Sequence, residues 1–89
     1  MKPKKKRSWK GWAVLWRSEN KLDGLQEHFE FESCLPKFFR TRKEGRLWVS
    51  EKYGYIKDRK DLQEEPHGWK MPKVLRVQVR ITEVTHDNT

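Results

Sequence analysis

Apolar and polar residues alternate in three segments of the chain, with the period of a β-strand. The first segment, residues 9–17, is largely apolar on both faces, with Trp12, Val14 and Trp16 on one face and Ala13 and Leu15 on the other. After a turn at Asp23-Gly24, residues 25–32 alternate again, which predicts a half-exposed strand with its phenylalanines turned inward. Residues 75–84 alternate last and predict the final strand.

One helix is predicted between the second and the last of these strands. Thr41 and Glu44 have the T-x-x-E spacing of a capping box, so the helix is expected from about Arg42 to Tyr53. Its inward face would carry a glycine and three large side chains: Gly45, Trp48, Val49 and Tyr53. We expect Gly45 to mark a close approach to the sheet and Gly54 to form a left-handed C-cap.

The order of these elements predicts an α+β fold. Pro36 permits only a short edge segment at residues 37–40, and residues 57–72 are predicted to form a long ordered loop. The sequence therefore indicates a small, mainly antiparallel sheet of three to four strands in the order β-β-(β)-α-β, with one helix packed on one face. The apolar second face of the first strand would be covered by the long loop, which is the favoured explanation because Trp69 and Met71 lie in it, or by a partner.

Composition fits a single small domain. The chain has 89 residues, of which 34% are hydrophobic and 38% charged, but five are Trp, whose large rings let a small core bury much area. We predict a disordered basic tail over residues 1–8, one domain over residues 9–85 and a frayed terminus over residues 86–89. The single cysteine, Cys34, excludes an internal disulfide and a cysteine-based zinc site, which suits a reducing cytosol.

Positive charge is concentrated at the start of the chain. The first ten residues hold six Lys and Arg and no acid, whereas the remaining 79 hold 15 Lys and Arg against 13 Asp and Glu. A flexible basic arm is most commonly a solvated tail; the alternatives are binding of nucleic acid without sequence preference and, less commonly, a nuclear import signal. Its candidate residues are Lys2, Lys4, Lys5, Lys6, Arg7 and Lys10.

A second group of cations surrounds the predicted helix start: Arg40, Arg42, Lys43 and Arg46. Free backbone N–H groups and the helix dipole add to this charge, so the cluster could hold a phosphate or an acidic partner. The alternative is an exposed polar helix end without a ligand.

The segment 65–69, EPHGW, is the most distinctive short motif. Docking of Trp69 against the body is the favoured explanation, and an exposed loop for a protein partner, with His67, Trp69 and Tyr55, is the alternative. His28, His67 and Cys34 fit no ligand spacing, so neither a metal nor a cofactor is expected. The chain shows no catalytic motif and no apolar run that would span a membrane. A non-enzymatic protein is expected.

Several blocks of the sequence together resemble a family of short, functionally uncharacterised proteins of bacteriophages, prophages and bacterial mobile elements. These blocks are ENKLDG, FRTR-x-E, YGYI and EPHGW, and the resemblance covers roughly residues 12–81. Gly45 departs slightly from the family, which usually has a small residue such as Ala there. The resemblance implies a bacterial host cytosol and no particular activity.

Two functions are therefore expected from the sequence. The first is a small non-enzymatic binding protein of phage or mobile-element origin that acts on a host or phage protein. The alternative is an accessory nucleic-acid-binding protein that uses the basic tail and the helix-start arginines. The identity of the partner and the oligomeric state do not follow from the sequence.

Overall fold

The computed structural model describes residues 7–84, which form an α+β fold with one main antiparallel sheet. Its elements follow in the order β1 (Ser8–Asn20), β2 (Gly24–Phe29), β3 (Phe31–Glu32), β4 (Leu35–Pro36), β5 (Phe38–Phe39), α1 (Arg42–Tyr53), a 3-10 helix (Gly54–Asp58), α2 (Lys60–Gln63) and β6 (Trp69–Arg80). The predicted fold class is confirmed.

The long strand β1 is the centre of the sheet. On one side it pairs with β6 over nearly its whole length, from Ser8 opposite Arg80 to Ser18 opposite Trp69. On its other side, β2 and β5 pair with different parts of β1. The register with β6 shifts next to Pro72, which has no N–H to donate and is tolerated at such an irregularity in an edge strand.

The core lies between α1 and the face of the sheet that carries Val14. Val14, Val49 and Ile56 are buried there, and Trp48 packs between Phe39 and Tyr53. The helix approaches the sheet closely, because a Cβ at Gly45 would lie 2.9 Å from the Cγ1 of Val74. The predicted helix bounds, inward face and close approach are all confirmed.

The inward-facing phenylalanines predicted for the second strand are wrong. Phe29 and Phe31 are exposed, whereas the carboxylate between them, Glu30, is buried. Glu30 accepts hydrogen bonds from the Tyr53 hydroxyl (2.8 Å) and from Lys52 Nζ (3.3 Å). Burial, and then this hydrogen bond, raises the pKa of Tyr53. Phe29 stays exposed because no helix packs against its side of the main sheet, whereas Phe31 belongs to β3, which pairs with β4 in a separate two-stranded sheet.

Two further predictions are corrected beyond α1. Gly54 has a right-handed φ of −57° and no left-handed cap, because the chain continues directly into the 3-10 helix. The segment 57–72 is not a long loop, since it contains α2 and the first residues of β6. Charged residues interrupt the apolar pattern in this segment, so hydrophobic periodicity did not predict its helix and strand.

The sheet begins earlier than the predicted boundary at residue 9. Ser8 pairs with Arg80, and the carbonyl of Arg7 accepts a hydrogen bond from the N–H of Ile81 at 2.8 Å. The predicted disorder of residues 1–6 and the fraying of residues 86–89 lie outside the described residues.

We expect Thr41→Ala to lower the free energy of unfolding by about 0.5–2 kcal/mol. Thr41 Oγ1 accepts from the Glu44 N–H, and Glu44 Oε1 accepts from the Thr41 N–H, both at 3.1 Å. Urea denaturation measures the loss. Thr82→Ala is the matched control, because Thr82 is exposed and outside any helix or strand. Equal losses for the two variants would contradict a stabilising capping box.

Candidate functional site: a basic cleft beside a free strand edge

A cleft of about 350 Å³ separates α1 from the beginning of β6. Four of its lining residues are cationic and none is acidic. We call it the basic cleft; its lining consists of Arg42, Arg46, Val49, Ser50, Lys57, Met71, Pro72, Lys73 and Val74. A cleft with this charge suits a phosphate or a carboxylate.

Three elements bring these cations together. Arg42 and Arg46 are four residues apart on α1, so they lie on the same side of the helix. Lys57 follows buried Ile56 in the 3-10 helix, which turns the chain back towards the sheet. Lys73 is the first residue after the register shift in β6. Only the arginines of α1 were predicted as site residues.

Trp12 positions two arginines beside this cleft. The guanidinium carbon of Arg42 lies 5.5 Å from the centre of the Trp12 ring, and that of Arg76 lies 5.3 Å from it. Arg76 is the direct cross-strand partner of Trp12. Cation–π contacts of this kind hold guanidinium groups in place without neutralising them. Arg76 was not among the site residues predicted from the sequence, because only the strand register shows which residue pairs with Trp12.

The cations of the cleft form no ion pair with the acids of residues 7–84. The ion pairs of this region involve other cations: Lys37 with Glu32, Lys52 with Glu30, Arg59 with Asp61, and Lys70 with Glu19. Hydrogen bonds from Lys37 and from Arg59 lower the pKa of Glu32 and of Asp61, respectively. The near-neutral body therefore still has a locally basic surface.

The basic cleft adjoins the outer edge of β6. Among the strands of the described region, β6 pairs only with β1, which leaves its other edge without a neighbouring strand. Along this edge the side chains alternate between the two faces of the sheet. Arg76 lies on the helix side with Trp12, whereas Val77 lies on the opposite side.

That opposite side is an apolar surface without a helix. We call it the open face; its apolar residues include Trp9, Ala13, Phe29, Phe38, Leu75, Val77 and Val79. Part of it forms a shallow groove of about 200 Å³. Trp9 remains 38% exposed and Phe29 41% exposed, so the surface is accessible to a partner.

The structure brings together only some of the predicted basic residues. Lys2, Lys4, Lys5 and Lys6 lie outside the described residues. Arg40 and Lys43 are exposed and do not line the basic cleft. Arg7 and Lys10 are exposed at the start of the sheet, where Lys10 lines a shallow depression with Arg76.

The EPHGW segment packs against the β1–β2 turn. The Glu65 carboxylate accepts from the N–H of Lys21 at 3.0 and 3.2 Å, and the Gly68 carbonyl accepts from the N–H of Glu19 at 2.8 Å. Trp69 is half-buried, with its ring centre 6.0 Å from that of Trp16. The motif thus has a structural explanation in its contact with the ENKLDG turn.

Of the three predicted partner residues, His67 and Trp69 lie together. Trp69 is half-buried, whereas His67 and Tyr55 are exposed. The ring of His67 lies 5.6 Å from that of Trp69, and Tyr55 belongs to the 3-10 helix. The open face therefore provides a larger candidate surface for a protein partner than these three residues.

Neither a metal cluster nor a family assignment adds to this picture. The described residues contain no group of three His, Cys, Asp or Glu side chains that could hold a metal ion, and Cys34 is exposed. Nor does any helix in this part of the chain have the length and apolar character needed to cross a membrane. No family model, curated protein or solved structure matches the chain. The resemblance to phage proteins stays a prediction.

Proposed function

We propose that the protein is a small non-enzymatic binding protein that acts on another protein, in a bacterial cell that carries a phage or a mobile element. The observation that supports this function best is the open face, which lies directly beside the unpaired edge of β6. A contiguous apolar surface of this kind is typical of a binding site.

The limited core strengthens this proposal. Among the described residues, only four hydrophobic side chains are buried: Ala13, Val14, Val49 and Ile56. Half-exposed apolar side chains on the open face gain about 25 cal/mol for each Å² that a partner covers. The molecule thus offers apolar area that its own helices leave accessible.

A second candidate function is nucleic-acid binding. The basic cleft favours it, because four cationic residues and no acidic residue line the cleft: Arg42, Arg46, Lys57 and Lys73. Phosphate groups would neutralise these cations, and such binding weakens steeply with salt. A nucleic-acid ligand uses the cleft, but it leaves the open face unexplained. We therefore rank protein binding first.

Affinity capture from a nuclease-treated bacterial lysate tests the proposal with Val77→Glu as the decisive variant. Val77 lies in the groove of the open face, so an apolar partner that covers a carboxylate there would have to remove its hydration, which opposes binding. We expect the wild type to retain one partner protein at high salt. Val77→Glu should capture at least about tenfold less of that partner. The captured protein is then purified and its binding to both forms is measured.

Leu22→Glu is the matched control, because it makes the same apolar-to-acidic change at a residue that is 86% exposed in the β1–β2 turn. It should capture as much partner as the wild type. Capture that disappears after nuclease treatment, and that Val77→Glu leaves unchanged, would contradict protein binding and favour nucleic acid.

A further inference from the structure

We propose that the free edge of β6 accepts an extended strand of the partner protein in which acidic and apolar residues alternate. The strand would join the sheet next to β6 and run past the basic cleft. This inference rests on the proposed function and names the kind of partner segment that the surface fits. Addition of a peptide strand to a sheet edge is an established mode of recognition.

The edge provides the backbone groups for this pairing. From Lys73 to Arg80, β6 pairs with β1 on one side and with no strand on the other in the part of the chain that the structure describes. Alternate N–H and C=O groups of an edge strand point outward and can bind another strand. Pro72 and the register shift end the regular ladder just before this segment.

Two different rows of side chains flank the edge. On the helix side are Arg76 and Arg80, and the first of these lies against Trp12. On the open face are Leu75, Val77 and Val79. The side chains of an added strand would continue both rows, because cross-strand neighbours lie on the same face. Acidic residues would therefore meet the arginines, and apolar residues would extend the open face.

The same charges argue against a second copy of this chain as the occupant. Antiparallel pairing of two β6 strands would place Arg76 and Arg80 of both copies on one face, next to both basic clefts. Like charges in neighbouring strands destabilise pairing, and cations on an edge commonly prevent self-association. An acidic strand turns this repulsion into attraction.

A nucleic acid accounts for fewer of the observations. Phosphates would neutralise Arg42, Arg46 and Arg76, but they would leave the backbone edge and the apolar row beside Val77 exposed. An alternating strand uses the backbone groups, the arginine row and the apolar row together. We therefore favour the strand.

A synthetic peptide tests the inference. Its glutamates and valines alternate over the length of the Lys73–Arg80 segment, and it is titrated into the isotope-labelled protein by NMR. We expect saturable shifts and slower amide exchange in β6. A second peptide, N-methylated on the amides that would face β6, should bind at least about tenfold more weakly, because it cannot pair.

Charge reversal identifies the arginine row. Arg76→Glu should weaken binding of the glutamate peptide at least about tenfold. A peptide with lysine in place of glutamate should bind this variant better than it binds the wild type. Lys60→Glu is the control, because it makes the same change at an exposed residue of α2. It should bind the glutamate peptide like the wild type.

Several results would overturn strand addition. These are equal binding of the methylated peptide, no rescue by the lysine peptide, or displacement of the bound peptide by duplex DNA that itself requires Arg76. If lysate capture depends on Val77 but no peptide binds, strand addition is wrong and the proposed function stands. If the peptides behave as expected but no Val77-dependent partner is captured, the strand site is supported and the proposed function fails.

Discussion

Gly68→Ala is expected to destabilise the protein by roughly 2–5 kcal/mol. Gly68 has a φ of +63°, where an ordinary side chain costs about 1–2 kcal/mol. A Cβ at this position would also lie 1.8 Å from the carbonyl oxygen of Glu19, so the backbone of β1 must move. Displacing well-packed neighbours costs about another 1–3 kcal/mol. The change should also break the hydrogen bond from Glu19 N–H to the Gly68 carbonyl.

Gly24→Ala separates these two causes. Gly24 has a similar φ of +72°, but nothing lies within 4 Å of an added Cβ. Its replacement should therefore cost only the conformational part, about 1–2 kcal/mol. Urea denaturation of both variants gives the difference. Equal losses would mean that the close approach of Gly68 to β1 contributes nothing to stability.

Local signals explain why α1 could be predicted from the sequence. The capping box of Thr41 and Glu44 needs only residues within one turn, and its two hydrogen bonds form as expected. Gly45 was also interpretable, since a glycine inside a helix usually has a packing reason. The conformation at the C-terminal end of the helix was not predicted correctly, because the chain continues at Gly54 into a 3-10 helix instead of adopting a left-handed conformation.

The basic cleft depends on information that the sequence does not display. Lys57 belongs to a segment predicted as a loop, Lys73 lies between that segment and the predicted last strand, and Arg76 belongs to that strand, whose register was unknown. The predicted cluster included only Arg42 and Arg46 of the cleft's lining. Long-range pairing decides which cations share a surface, and periodicity within one segment cannot show it.

The open face was anticipated only in part. The sequence indicated that β1 is apolar on both sides and that a loop or a partner must cover the second one. The loop was favoured, but Trp69 packs with Trp16 on the helix side instead. The phenylalanines of residues 25–32 were predicted to face inward because alternation identifies a face without showing which side the helix will cover.

Ile56→Ala is expected to lower the free energy of unfolding by about 2–5 kcal/mol, the range for removing a buried aliphatic side chain. Ile56 is only 1% exposed, and it is the only buried residue of the 3-10 helix. Its carbonyl also accepts a hydrogen bond from Gln63 Nε2. The side chain thus anchors the 3-10 helix to the core.

Ile81→Ala is the matched control, because it removes the same atoms from a side chain that is 60% exposed. It should cost less than about 1 kcal/mol, and urea denaturation of the two variants measures the difference. Lys57 follows Ile56 directly and lines the basic cleft. A loosened 3-10 helix should therefore also weaken binding of the acidic peptide to Ile56→Ala under conditions where it is folded. Equal stability losses for the two variants would show that the 3-10 helix is held by its hydrogen bonds rather than by the buried isoleucine.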